Sequence, residues 1–365
     1  MDGCFDLMHY GHANALRQAK EMGDYLVVGV HSDAEITKHK GPPVTLQDER
    51  YVSVAACKWV DEVVPNAPYI TDLRLMDKYG CDFCVHGDDL VMAADGSDTY
   101  AQVKKAGRFK ECKRTPSVST TELVGRMLLM TKCHHEMGDI SLTKRQNIDS
   151  FAVGTDAKSP YTSVSQMLQT SNRIVQFSSA KEPKPTDRVV YVDGTFDLFH
   201  AGHAELLKAA KSMGDFLLVG IHDDRTANRI KGSNYPIMNL HERALSVMAC
   251  RYVDEVIIGA PYSVTKDLLN GSFKISLVIH GKTSVEPDID AEDPYKLPKE
   301  LKIYCEVETP FSHLTTQMMV ERIICRRQEY EERNRKKQAK EIAAINAQER
   351  REELSGTAEP STGSD

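Results

Sequence analysis

Asp193-Gly194-Thr195-Phe196-Asp197-Leu198-Phe199-His200-Ala201-Gly202-His203 decides the fold, because it joins two stretches of different periodicity. The apolar run Val189 to Val192 leads in and Ala204-Glu205-Leu206-Leu207-Lys208-Ala209-Ala210 leads out. That pattern predicts a buried strand, a tight turn and an amphipathic helix. His200 and His203 therefore sit where the carboxyl end of a strand meets the amino end of a helix. Unpaired N–H groups and the positive end of the helix dipole make such a place an anion site, for phosphate above all. Asp2-Gly3-Cys4-Phe5-Asp6-Leu7-Met8-His9-Tyr10-Gly11-His12 repeats the stretch. Chance poorly explains a pattern that occurs twice in one chain.

The duplication extends outward. At a shift of 191, Met22-Gly23-Asp24-Tyr25-Leu26-Val27-Val28-Gly29-Val30-His31 overlays Met213 to His222, and Lys40-Gly41 overlays Lys231-Gly232. After a short slip, Asp48-Glu49-Arg50 matches His241-Glu242-Arg243, and Val60-Asp61-Glu62-Val63 matches Val253 to Val256. Cys84-Val85-His86-Gly87 matches Val278-Ile279-His280-Gly281, and Ser119-Thr120-Thr121 with Arg126 falls over Thr315-Thr316-Gln317 with Arg322. Strands alternating with helical patterns predict an α/β chain of two tandem units, each a parallel sheet with helices on both faces. Ligands of such units sit at the carboxyl ends of the strands, near the switch point. Met1 aligns with Val192, so nothing answers to Arg188–Tyr191 and the first unit lacks its opening strand. An incomplete start explains this better than an impaired domain. The expected division is a first domain at 1–132, a linker at 133–187, a second domain at 188–328, and a charged, solvated helix with a disordered tail at 329–365.

The 365 residues suit two domains with proper cores, and 41% hydrophobic and 27% charged residues are ordinary for a soluble protein. A net charge of -7 argues against nucleic acid as a partner. No apolar run approaches a membrane span and no signal peptide is legible, so the expected location is the cytoplasm, with at most peripheral membrane association. The nine cysteines lack framework spacing. Cys81 and Cys84 fit packing better than a metal or redox site, and His134-His135 has no ligand partners.

The HxGH pair carries the chemistry. Imidazole N–H groups can bond the non-bridging oxygens of a phosphoryl group as charge grows on them. No general base is conspicuous, which suits an attacking group that is already an anion, such as a phosphate monoester. Lys40 and Lys231 supply positive charge, and Arg114-Thr115 precedes Ser119, Thr120 and Thr121 at the start of an apolar helix. Those hydroxyls either cap the helix or bind phosphate. His86-Gly87-Asp88 and His280-Gly281-Lys282-Thr283 end matching strands, where a base or sugar would lie. Arg50 and Arg243 either brace the site as buried ion pairs or bind substrate. A triphosphate leaving group calls for Mg²⁺, held chiefly by the substrate because no metal cage is visible.

With these motifs assembled, the chain resembles the cytidylyltransferase family. GxFDxxHxGH stands at 3–12 and 194–203, and Arg114-Thr115-Pro116-Ser117-Val118-Ser119-Thr120-Thr121 stands in place of the family's RTxGxSTT. The resemblance implies tandem Rossmann-like nucleotidyltransferase domains and cytidylyl transfer from CTP. The tandem arrangement implies phosphoethanolamine as acceptor rather than phosphocholine, and a homodimer working in the cytoplasm or at the surface of the endoplasmic reticulum. It implies that His9, His12, Lys40 and Arg114 are catalytic, with Gly3, Cys4, Phe5, Arg50, His86, Gly87, Asp88, Ser119, Thr120 and Thr121 around the nucleotide. In the second copy Thr195, Phe196, His200, His203, Lys231, His280, Gly281, Lys282, Thr283, Leu314, Thr315 and Thr316 take that place. Pro310 stands where Arg114 does. The competing expectation is a short, impaired form that binds CTP or CMP through the second copy and acts by dimerising. An aminoacyl-tRNA-synthetase-like enzyme is disfavoured, since no Lys-Met-Ser-Lys-Ser counterpart exists.

Overall fold

A computed structural model describes residues 1–88, 98–115, 118–128, 174–179 and 181–336. His134-His135, most of the 133–187 linker and the tail beyond 336 lie outside the described residues.

The second repeat shows the architecture in full. Strand β6 (Val189–Gly194) has its first five residues buried, as a continuous apolar run must be when helices cover both faces. It pairs in parallel with β7 (Phe216–Ile221) on one side and β9 (Ile275–Gly281) on the other. With β8 (Glu255–Ile258) and β10 (Tyr304–Val307) at the edges, the order is β10-β9-β6-β7-β8. The chain thus switches direction at β6, and the HxGH turn leaves the carboxyl end of that central strand. Helices α7 (Ala201–Lys211), α8 (Asp224–Lys231), α9 (Leu240–Met248), α10 (Lys266–Asn270), α11 (Lys296–Glu300) and α12 (Thr316–Cys325) complete the repeat.

The first repeat runs β1 (Asp2–Gly3), α1 (Tyr10–Glu21), β2 (Val27–His31), α2 (Asp33–Lys40), α3 (Gln47–Ala55), β3 (Glu62–Ala67), α4 (Leu73–Lys78), β4 (Cys84–Gly87), α5 (Ala101–Lys105), β5 (Phe109–Cys112) and α6 (Thr120–Leu128). Its strands form two separate parallel groups, β1-β2-β3 and β4-β5. In the other copy β6 reaches β9 through Val189, Val190 and Tyr191. Here Asp2 and Gly3 pair with Gly29 and Val30 of β2, and the Met1 carbonyl accepts the Gly29 N–H at 2.9 Å.

The repeats meet about an internal twofold relation. Lys58 N–H donates to Ala249 O and Arg251 N–H to Ala56 O, bracketing Cys57 opposite Cys250. Apolar cores cross the seam: Leu245, Met248 and Ala249 join the first repeat's core, while Leu7, Val44, Leu123 and Met127 pack with Leu198, Ile237 and Met319. Two ion pairs cross reciprocally. Arg126 of α6 grips Glu242 of α9 at 2.8 and 3.0 Å, and Arg322 of α12 grips Glu49 of α3 at 2.7 and 2.8 Å.

The described part of the charged stretch after Arg322 has one solvated face and one docked face, and the rest of the stretch lies outside the described residues. Helical residues 327–336 lie along the first repeat, and Tyr330, 1% exposed, donates its hydroxyl to Pro43 O at 3.0 Å. Part of the linker also docks, since Phe177 is fully buried and packs edge-on against Trp59 at 4.9 Å. Among the described residues no helix is long and apolar enough to cross a membrane.

Burial pushes the Glu242 carboxyl up against the opposing pull of Arg126, so removing the arginine leaves a buried group without its cation. Arg126→Ala is expected to lower unfolding stability by about 3–5 kcal/mol in urea titration. Lys296→Ala, which breaks an exposed pair with Glu292, is expected to leave stability nearly unchanged.

Candidate functional site

Each HxGH turn has a backbone that only a rigid frame tolerates. Phe5 and Leu7 stand at φ 52° and 48°, and Phe196 and Leu198 at 51° and 47°. Non-glycine residues in the left-handed region cost roughly 1–3 kcal/mol each. All four side chains are buried, and the carboxylate between each pair is clamped. Asp6 accepts the N–H groups of Val44 and Thr45 at 2.9 Å and the Thr45 hydroxyl at 2.8 Å. Asp197 accepts those of Ile237 and Met238 at 2.8 and 2.9 Å. The turn is thereby tied to the loop that follows Lys40-Gly41 or Lys231-Gly232. Gly41 (φ 89°) and Gly232 (φ 67°) end α2 and α8 with a conformation that side chains rarely adopt.

The glycine inside HxGH answers to a close approach. A Cβ on Gly11 would lie 2.9 Å from the His9 ring and 2.8 Å from Val118, and one on Gly202 would lie 2.7 Å from Phe311 O. His9 caps α1, its Nδ1 accepting the Gly11 N–H at 3.1 Å, and His12 Nδ1 accepts the His9 N–H at 3.3 Å. A ring nitrogen that accepts a backbone N–H carries no proton, so a neutral imidazole here bears its proton on Nε2. The rings stack at 4.0 Å between centroids. In the second repeat His203 Nδ1 accepts the His200 N–H at 3.3 Å and the rings stack at 3.8 Å. Burial lowers His200 to about 3 and carries His203 well below its ordinary value, with Lys231 adding to both. Each turn therefore presents two stacked imidazoles at a helix amino end, and those of the second repeat are held neutral.

Other expected residues converge less evenly. Lys231 is open to solvent at its surface, yet crowding by protein lowers its pKa, and its charge is felt at His200, His203 and Asp197. Lys40 holds its ammonium 5.6 Å from the Tyr69 ring centroid. His86 lies against Tyr100 and His280 against Tyr295 at the matching strand ends. Asp88 accepts the Arg114 N–H at 3.2 Å, bringing that exposed arginine beside the end of β4. Ser119 and Thr315 cap α6 and α12, while Thr120 and Thr316 donate to Asp6 O and Asp197 O at 2.9 Å. Gly3, Cys4 and Thr195 form the strand-to-turn junctions, with Cys4 O and Thr195 O accepting from the two buried arginines.

The two arginines with a double reading, Arg50 and Arg243, act as braces in the structure. Arg50, 1% exposed, donates to Thr45 O, Cys4 O, His31 O and Asp33 Oδ1. Arg243 does the same to Met238 O, Thr195 O, His222 O and Asp224 Oδ1. Leu314 also turns away, with its side chain in the apolar core and its N–H bonded to Phe311 O. Lys282 is drawn outward to Glu308 at 2.7 Å. Among the described residues no group of three or more His, Cys, Asp or Glu could hold a metal ion.

Sequence reasoning passed over Asp6 and Asp197, although their recurrence between the turn glycine and the histidines was a usable signal. It also missed Asp2, which accepts from Tyr100 and Thr71 hydroxyls at 2.6 Å, and Asp193, which accepts from Tyr295 at 2.5 Å.

With this geometry in hand, comparison with known proteins is informative. The cytidylyltransferase-like family model matches residues 1–126 and 191–358. A curated ethanolamine-phosphate cytidylyltransferase of Mus musculus is 55% identical over 371 residues, spanning 96% of this chain and 91% of the relative. One from Dictyostelium discoideum is 56% identical over 349 residues, spanning 94% and 95%. One from Arabidopsis thaliana is 51% identical over 355 residues, spanning 93% and 83%.

Asp193 makes the second repeat sensitive to pH. Complete burial raises its carboxyl from 3.8 to about 7, against the hydrogen bond from Tyr295. The folded state then binds more protons than the unfolded state between pH 4 and 7, so stability falls as pH rises through that window. The full loss is on the order of 4 kcal/mol. Asp193→Asn keeps an acceptor for Tyr295 and is expected to flatten this decline, leaving the variant at least as stable as the parent at pH 8 in denaturant titrations.

Proposed function

Because the chain belongs to the ethanolamine-phosphate cytidylyltransferase family, we propose that it transfers the cytidylyl group of CTP to phosphoethanolamine. The products are CDP-ethanolamine and pyrophosphate, on the way to phosphatidylethanolamine. The observation that carries this reading is the HxGH pair, two stacked imidazoles capping the helix at the carboxyl end of the opening strand.

In the reaction a phosphate oxygen of phosphoethanolamine attacks the α-phosphorus of CTP in line. The new P–O bond forms as the bond to the β-phosphate breaks, and pyrophosphate leaves with that electron pair. The nucleophile is already an anion, so the site needs no base. It needs donors aimed at the charge growing on the α-phosphate oxygens. Nδ1 of both His9 and His12 is occupied by a backbone N–H, so Nε2–H of each donates to those oxygens without giving up a proton. Lys40 and Arg114 offset charge on the triphosphate, and Mg²⁺ enters with the nucleotide as part of the substrate. The capped start of α6, at Ser119, Thr120 and Thr121, adds a helix dipole behind the phosphates.

Catalysis is assigned to the first repeat, since Pro310 replaces the arginine in the second. The second repeat keeps His200, His203 and Lys231 and is read as a nucleotide-binding copy. Homodimerisation, and work at the surface of the endoplasmic reticulum, belong to the same reading.

Purified protein given CTP, Mg²⁺ and phosphoethanolamine should release pyrophosphate, with phosphocholine a poor substitute. Combined His9→Ala and His12→Ala should lower turnover by about 10²–10⁴-fold. The paired His200→Ala and His203→Ala variant should retain most turnover. Undiminished activity in the first variant would remove catalysis from the first repeat.

A further inference from the structure

The helical residues 327–336 have two unlike faces. On one, Arg327 pairs with Glu331, and Arg335 and Lys336 pair with Glu332, all at least 40% exposed and all local to the helix. Exposed pairs of this kind contribute little. On the other, Tyr330, Arg333 and Asn334 fall three and four residues apart and so share a face. That face meets the first repeat, although the segment follows the second.

Each of the three side chains holds a different part of the first HxGH site. Tyr330 is buried and donates to Pro43 O at 3.0 Å. Arg333 Nη1 donates to Pro42 O at 2.6 Å, and both its terminal nitrogens lie 3.3 Å from Asp6 Oδ2. The stem of Arg333 passes over Gly41, where an added Cβ would lie 3.8 Å from its Cδ. Asn334 Nδ2 donates to Thr121 O at 3.3 Å. The residues held are the loop directly after Lys40, the carboxylate that organises the turn, and the first turn of α6. Asp6 and Arg333 are both largely shielded, with side chains 4% and 14% exposed. Asp197, the equivalent carboxylate, has no ion pair among the described residues, and burial raises its pKa. Only the repeat that keeps the arginine before its Ser/Thr cluster has this cation on its clamp carboxylate.

We propose that Arg333 is a positioning residue of the first repeat's active site, a fork that reaches back from the far end of the chain to lock Asp6 to the loop bearing Lys40. A guanidinium suits the task because it donates to a carbonyl and a carboxylate in one plane, which an ammonium cannot. Without it, residues 41–45 keep their bonds to Asp6 but lose the outer wall that fixes them, and the Lys40 ammonium is no longer held for the triphosphate.

The kinetic part of the test rests on the transferase reading given above, and a second measurement does not. Arg333→Ala is expected to lower kcat/KM for CTP about tenfold or more, chiefly through KM. It should also speed amide hydrogen exchange at Val44 and Thr45. Arg333→Lys should recover less than half of the loss, while Arg327→Ala and Arg335→Ala should match the parent in both readouts. Exchange at Val44 and Thr45 that is unchanged in Arg333→Ala overturns the clamp whatever the kinetics show. Full recovery by lysine overturns the fork. A parent chain without turnover counts against the transferase reading alone, and the exchange measurement then still decides the clamp.

Discussion

A carboxylate taken out of water between two left-handed residues is the constraint from which the rest of each repeat follows. An ionised group in that position is tolerable only when several donors converge on it. Asp6 therefore fixes the backbone N–H groups of Val44 and Thr45, and Asp197 those of Ile237 and Met238. Those bonds offset the strain of the turn and bring back the loop that carries the lysine. They also set where the next helix begins. Glu49 and Glu242, in the first turns of α3 and α9, bond back to Leu46 N–H and Asn239 N–H, and from there reach across to the other repeat. One buried charge thus links the phosphate-facing turn to the seam between the repeats.

That seam has the logic of a symmetric dimer built into one chain, where the central backbone bonds and the crossed ion pairs each occur twice with the partners exchanged. The crossed pairs Arg126–Glu242 and Arg322–Glu49 fix register more than they add stability, because desolvation consumes much of their attraction. Apolar packing supplies the cohesion: α6 and α12 lie together, and Val124, Met127, Val320 and Ile323 fill a single core between them. Since the interface is continuous with both domain cores, the turns of the two repeats are held in one frame. Leu7, Met8, Leu198, Phe199 and His200 line one small cavity between them.

The turn, the duplication and the switch point were legible because each is local. Period-2 and period-3.6 patterns on either side of Asp193 to His203 need no distant information. What stayed hidden depends on partners far along the chain. Arg50 lies in a helical pattern that suits a surface arginine, and only the fold shows its donors spent on the carbonyls of Cys4, His31 and Thr45. Tyr330 sits alone in a charged stretch, so no apolar stripe announced docking, and its partner Pro43 is 287 residues away. Leu314 aligned with a phosphate-facing cluster, but alignment gives a position and not the direction of a side chain.

Packing at the seam joins two sheets of different continuity. In the first repeat β1 pairs with β2, and β4 pairs with β5 in a separate sheet. The first repeat's core includes residues of the second: Leu245, Met248 and Ala249 of α9 and its cap pack with Leu16, Val28, Val30 and Val54. The continuous five-stranded sheet of the second repeat packs on α9, and that helix also packs on α1, so it joins the intact sheet to the divided one.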